Sequence, residues 1–212
     1  MVIAIDGPAG AGKSTVARRV ADALGFTYLD SGAMYRCVAL AALREGVDVD
    51  DGEALGELAW SLDISFDHGS VRLGGEPVEG QIRSPEVTIA ASRVSVHPQV
   101  RRAMVKRQRE LIATGRYVAE GRDIGTVVSR DSPLKVFLTA EEEERARRRA
   151  ADSGESVAEV REAMRERDRR DQERADSPLR IAEDSVRIDT TDLTPDQIVQ
   201  RVVELAQERG IA

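Results

Sequence analysis

The first fifteen residues constrain this chain more than any others. Val2-Ile3-Ala4-Ile5 is an unbroken apolar run, a glycine-rich turn follows, and Val16, Val20, Ala23 and Leu24 then recur at helical spacing. The turn, Gly7-Pro8-Ala9-Gly10-Ala11-Gly12-Lys13-Ser14, reads G-x-x-x-x-G-K-[ST] between a strand and a helix, the context a phosphate-cradling loop requires. Its glycines let successive backbone N–H groups face one anion without Cβ obstruction, and the following helix aims its positive dipole end at the same point. Lys13 supplies a mobile charge for β and γ oxygens, and the Ser14 hydroxyl is a hard oxygen ligand suited to Mg²⁺. Gly7, Pro8, Ala9, Gly10, Ala11, Gly12, Lys13, Ser14 and Thr15 therefore form a candidate site for a nucleoside triphosphate with Mg²⁺. Only 3 of the 31 basic residues are lysines, so Lys at position 13 argues that a compact ammonium is wanted there.

Strand and helix alternate beyond this point, which predicts a parallel α/β sheet flanked by helices. Phe26-Thr27-Tyr28-Leu29 reads as a strand, Ser31 as a helix N-cap, and Gly25 and Gly46 as helix-ending glycines. From Val47 to about Arg93 the rhythm changes to a short helix and short alternating runs with Gly74-Gly75 between two of them, a hairpin signal, so a small antiparallel subdomain is expected there. Trp60 and His68 fall in it, Trp60 expected to pack and His68 to lie in a loop. The α/β rhythm resumes with a helix from about Pro98 to Thr114 and strands at Tyr117-Val118-Ala119, Lys135-Val136-Phe137-Leu138 and Val186-Arg187-Ile188. Thr194-Pro195-Asp196-Gln197 is a capping box with proline at the first helical position. Residues 141–176 are dense in charge and poor in large apolar groups, and read as a solvated helical excursion. The predicted division is one domain, with a core of 1–46, 94–140 and 177–212, an insertion of 47–93 and a helical excursion of 141–176.

A formal charge of −7 gives no positive field for nucleic acid, and one cysteine, Cys37, closes no intrachain disulfide. No run longer than seven residues lacks a charged side chain, so no spanning helix is expected. Met1 leads straight into the first strand, which reads as a cytoplasmic protein. Among P-loop proteins, the absence of asparagine excludes an N-K-x-D guanine-reading motif and with it an ordinary GTPase. Small-molecule kinases fit best.

Three further segments narrow the choice: Leu29-Asp30-Ser31-Gly32-Ala33-Met34-Tyr35-Arg36, Ala119-Glu120-Gly121-Arg122-Asp123-Ile124-Gly125-Thr126, and Arg167-Asp168-Arg169-Arg170-Asp171. With the P-loop and the insertion, they make the chain resemble, over nearly its whole length, the bacterial cytidylate (CMP) kinase family of the nucleoside monophosphate kinases. The resemblance implies a P-loop NTPase-type sheet, an antiparallel monophosphate-binding insertion and a helical lid. It implies ATP-dependent phosphorylation of CMP and dCMP, with Mg²⁺, by a monomer. It also implies that Arg36 and Arg122 hold the acceptor phosphate, that Ser92, Arg101 and Asp123 face the cytosine ring, that Arg167 and Asp171 lie near the ribose hydroxyls, and that Arg174 reaches the acceptor nucleotide. Ser31 and Tyr35 join the substrate set, Lys13, Arg122 and Arg167 are the catalytic candidates, and Glu120 is a second candidate for the Mg²⁺ shell. In the lid, Arg145, Arg148 and Arg149 are candidates for the transferring phosphoryl.

An aspartate can accept from the exocyclic amine of cytosine, which uracil lacks, and arginine can donate to its O2 and N3. The rival readings are another P-loop small-molecule kinase, of the dephospho-CoA or shikimate type, and a nucleotide-regulated binding protein that docks RNA through its Arg-rich segment 145–180. Residue by residue, Cys37 reads as a buried inert thiol and His97 as structural or solvent-facing.

Overall fold

Because Val2–Asp6 (β1) is apolar up to its last residue, both of its faces can be covered, and all five residues are buried. In the computed structural model, which describes residues 1–67 and 70–211, this strand is the centre of a five-stranded sheet. It is followed by α1 (Lys13–Leu24), β2 (Thr27–Asp30) and α2 (Ser31–Glu45). Then come α3 (Gly52–Ser61), β3 (Ile64–Asp67), β4 (Ser70–Leu73), β5 (Glu76–Pro77), α4 (Pro85–Val94) and α5 (Pro98–Ile112). The chain continues through β6 (Tyr117–Gly121), β7 (Leu134–Thr139), α6 (Glu142–Ser153), α7 (Val157–Glu173), β8 (Val186–Asp189) and α8 (Pro195–Glu208).

The main sheet has the order β2-β6-β1-β7-β8, and β1 runs parallel to both β6 and β7, as β8 does to β7. The register pairs Asp6 with Gly121, so the loops after β1 and β6 leave the sheet side by side at its carboxyl edge, where open α/β sheets bind ligands. A second sheet, β3-β4-β5, is antiparallel throughout. Gly74 and Gly75 join β4 to β5 with φ of +57° and +78°, left-handed values that glycine takes without strain.

The chain divides into two compact units. The first comprises residues 1–29, 112–173 and 177–212, the second 30–111 and 174–176. The core of the first packs α1 and α8 with the sheet through Ile3, Ile5, Val16, Val136, Ile198 and Val202. The core of the second is built on α2, which is buried at every position from Ala33 to Ala42 except Arg36, the signature of a helix surrounded by its own unit.

Gly25 and Gly46 end α1 and α2 in the left-handed conformation, and the capping box of Thr194 and Gln197 opens α8. Two expectations are corrected. The N-cap of α2 is Asp30, whose carboxylate accepts from the Ala33 amide at 2.9 Å, whereas Ser31 is already helical. Trp60 is 52% exposed with the Lys106 ammonium over its ring, because the buried face of α3 is Leu55, Gly56, Leu58 and Ala59. His68 lies outside the described residues. No helix among them is long and apolar enough to cross a membrane.

Candidate active site

In the first unit the glycine loop turns on residues that only glycine suits. Gly10 and Gly12 have φ of +73° and +83°, and a Cβ on Gly7 would stand 2.2 Å from the carbonyl oxygen of Leu138 in β7. Gly12 is the N-cap of α1 and carries no side chain to cap it, which leaves the first-turn N–H groups to an anion. A Cβ at Gly12 would meet no atom within 4 Å. This open, uncapped helix start fits a polyphosphate. The hard oxygens of Ser14, which is exposed, and of Glu120, which is buried, suit Mg²⁺ in chemical type.

Lys13 is buried at the loop's end, and its ammonium donates to the Pro8 carbonyl at 2.7 Å. Burial, and then the charge of Arg122, push its pKa down to about 7, with Arg167 acting in the same direction against Glu120 and Asp171. Lys13, Glu120, Arg122, Arg167 and Asp171 thus share one electrostatic neighbourhood. Arg122 follows β6 and donates through Nε to Asp171 at 2.8 Å. Burial opposes its charge, and Asp171, Asp168 and Glu120 outweigh that and raise its pKa. Asp123, also buried, starts a π-helical turn over Ile124–Val128.

The second unit holds a separate set. Arg36 on α2 donates through Nη1 to the Ile82 carbonyl at 3.0 Å and to the Thr88 hydroxyl at 2.6 Å. Arg101 on α5 is 1% exposed, lies 5.4 Å over the Tyr35 ring and donates to the Ser95 carbonyl at 3.3 Å. The Ser95 hydroxyl donates in turn to the Ser92 carbonyl at 3.1 Å, and Ser92, Arg101 and Tyr35 are each buried. Ser31 and Arg174 are buried as well, Arg174 just beyond the end of α7.

A protein-family model described as cytidylate kinase matches residues 3–208. The chain belongs to the cytidylate kinase family. A cytidylate kinase of Caldanaerobacter subterraneus subsp. tengcongensis is 49% identical over 207 residues, which is 95% of this chain and 92% of that protein. One of Mycobacterium leprae is 46% identical over 216 residues, 99% and 97% of the two chains. Among solved structures, a gluconokinase from Sinorhizobium meliloti superposes with a TM-score of 0.53 over 99% of this chain and 93% of its own, and at 16% identity that likeness speaks for the fold alone.

Several residues of this family member do work that the sequence reading did not assign. Asp6 ends β1 buried, and its two carboxylate oxygens accept from the amides of Ile124 and Gly125 at 2.9 and 2.8 Å. It ties the strand before the glycine loop to the turn after Asp123. An acid closing an apolar strand is the one signal that could have marked it. Tyr28 donates its hydroxyl to Glu120 at 2.8 Å, and Asp168, quoted above only as part of a motif, accepts from the Ala9 amide. The three lid arginines have different surroundings. Arg145 is buried against Asp168, and Arg148 donates to Glu144, to the Thr190 hydroxyl and to the main-chain oxygens of Thr190 and Thr191, because both lie on the inward face of α6; Arg149 is exposed. The helical excursion is therefore more than a solvated charged face.

Cys37 is fully buried, and burial foremost pushes its thiol up to about 12, as expected of an inert core cysteine. His97 is half-buried with a ring nitrogen 3.0 Å from the Val49 carbonyl.

Proposed function

We propose that this chain transfers the γ-phosphoryl group of ATP to the phosphate of CMP or dCMP, giving ADP and CDP or dCDP. The observation that carries the reading is the gathering of Lys13, Arg122 and Arg167 beside the glycine loop, at the carboxyl edge of β1 and β6, in a member of the cytidylate kinase family.

The acceptor oxygen needs no general base, since the second ionisation of a phosphate monoester lies near pH 6 and the nucleophile is already charged. It attacks the γ phosphorus in line, the bond from that phosphorus to the bridging oxygen breaks, and ADP leaves. Catalysis then rests on positioning and charge neutralisation. Bound Mg²⁺ would neutralise part of the phosphate charge, with Ser14 and Glu120 as the residues to hold it. Residues 7–15 would hold the donor phosphates. Lys13, Arg122 and Arg167 would meet the charge developing on the transferred group.

On the acceptor side, Arg36 and Arg122 would bind the phosphate of CMP, and Ser92, Arg101 and Asp123 would read cytosine. Ser31, Tyr35, Asp171 and Arg174 are the remaining candidates for the acceptor nucleotide. In this reading, residues 47–93 are the monophosphate-binding insertion, 141–176 the lid, and the remainder the core of one kinase domain. The acting form would be a cytoplasmic monomer.

The test is an ADP-release assay with ATP and Mg²⁺ across CMP, dCMP, UMP, AMP, GMP, shikimate and dephospho-CoA. Highest turnover is expected with CMP and dCMP. Turnover of shikimate or dephospho-CoA in their place would overturn the reading.

A further inference from the structure

The main chain of Ala9, inside the glycine loop, is gripped on both sides by side chains of α6 and α7. Its N–H donates to Oδ1 of Asp168 at 3.1 Å, and its carbonyl accepts from Nη1 of Arg145 at 2.9 Å. The same Nη1 donates to Oδ2 of Asp168 at 2.5 Å, and Nε of Arg145 donates to the Ala140 carbonyl at 3.2 Å. Both side chains are nearly buried, at 11% and 12% exposure. Around them Ala9 packs with Ala146, Ala150, Val160 and Met164, and a Cβ on Gly10 would come within 2.7 Å of the Met164 methyl.

A loop rich in glycine has few side chains of its own to fix its peptide planes, and its flexible backbone loses much entropy when ordered. The orientation of its N–H groups must therefore be imposed from outside. A carboxylate alone behind an anion site would repel the anion; with Arg145 bonded to it, Asp168 can take the Ala9 amide while the pair stays neutral overall. Removing either partner would leave the other buried and uncompensated.

We propose that Arg145 and Asp168 are positioning residues for the donor-phosphate loop, acting through the main chain of Ala9. The proposal rests on the reading that this loop takes ATP. It assigns the two side chains to presenting the loop, with no contact to the nucleotide required.

The experiment compares wild type, Asp168→Ala, Asp168→Asn and Arg145→Ala in equilibrium binding of a non-hydrolysable ATP analogue with Mg²⁺, and in KM for ATP and for CMP. Asp168→Ala is expected to weaken the analogue about tenfold, and Arg145→Ala further, because it leaves a bare carboxylate behind the loop. Asp168→Asn keeps an oxygen for the Ala9 amide and should recover most of the affinity. KM for CMP should rise much less than KM for ATP, because Asp168 bonds the loop directly and reaches the acceptor side only through its field at Arg122.

Unchanged analogue affinity in both alanine variants, or KM for ATP and CMP rising by one common factor, would overturn the proposal. Wild type failing to bind the analogue would instead defeat the donor-site reading. Should an alanine variant not fold, amide exchange at Ala9 in wild type decides: slow exchange with and without the analogue supports the grip, and fast exchange in the free protein refutes it.

Discussion

Nε of Arg122 donates to the Asp171 carboxylate at 2.8 Å, with the two side chains only 16% and 8% exposed. The pair joins the segment after β6 to α7, one helical turn beyond Asp168. Asp171→Ala would strand the guanidinium in a buried setting, which costs about 3 kcal/mol when a buried pair loses one partner. Urea unfolding should show that loss, and KM for CMP should rise more than KM for ATP. An unchanged unfolding midpoint would mean that water reaches Arg122 freely.

Lys13 should take up a proton when nucleotide binds. Burial first, and then Arg122, lower its pKa from 10.5 to about 7 in the folded chain, so at pH 8 it is mostly neutral there while the unfolded chain keeps it charged. Its contribution to stability is therefore unfavourable below about pH 7 and is relieved as pH rises toward 10.5, where both states are neutral. Incoming phosphates would restore the ammonium. Calorimetric titration of ATP at pH 8, in buffers of different ionisation enthalpy, should report uptake approaching roughly one proton. Lys13→Arg, charged throughout, should show almost none.

Asp6 carries a pH signature of the opposite kind. Burial raises its pKa from 3.8 to about 6, despite the amides of Gly125 and Ile124 that favour its charged form. The folded state therefore holds more protons than the unfolded one between those values. The associated stability is complete below the lower value and lost as pH rises through about 6. Unfolding free energies from pH 4 to 7.5 should fall more steeply in wild type than in Asp6→Asn, which has no proton to lose. Parallel curves would show that Asp6 is ionised across the range.

The glycine loop, the glycines ending α1 and α2 and the capping box of α8 were legible because each signal lies within a few residues of its own effect. Asp6 and Asp168 were not, since their hydrogen-bond partners stand 118 and 159 residues away; the apolar strand that Asp6 closes is the one local mark on it, and Asp168 has none to set it apart from its charged neighbours. Asp30 and Ser31 are both good N-caps and adjacent, and the choice fell to the strand that runs through Asp30. Trp60 misled for a similar reason. Its apolar bulk suggests a core, but only its angle on α3 decides which way it faces, and Leu55, Leu58 and Ala59 had already taken the inner side. The antiparallel piece was visible in the rhythm of its residues, whereas the burial of Arg101 and Arg145 was hidden behind a charge that normally marks a surface.

Asp123→Ala should erode the preference for CMP over UMP about tenfold or more, since the proposed acceptor for the cytosine amine is removed and a site built around a hydrogen bond discriminates strongly. The ratio of kcat/KM for the two acceptors measures it. An unchanged ratio would assign base reading to Ser92 and Arg101 alone.

Gly7→Ala and Gly12→Ala should differ in kind, although both add one methyl to the same loop. At Gly7 the new Cβ would stand 2.2 Å from the Leu138 carbonyl oxygen, so either β7 or the loop must move. At Gly12 nothing lies within 4 Å, and the cost is the left-handed φ of +83° alone, about 1–2 kcal/mol for a residue with a Cβ. Gly7→Ala should therefore lose more stability than Gly12→Ala in urea unfolding. Gly12→Ala should fold and lose mainly ATP affinity, because its methyl enters the space in front of the open end of α1. Equal losses of stability in the two variants would show that β7 yields at Leu138 at little cost, and that the sheet edge leaves the first glycine of the loop more room than its packing indicates.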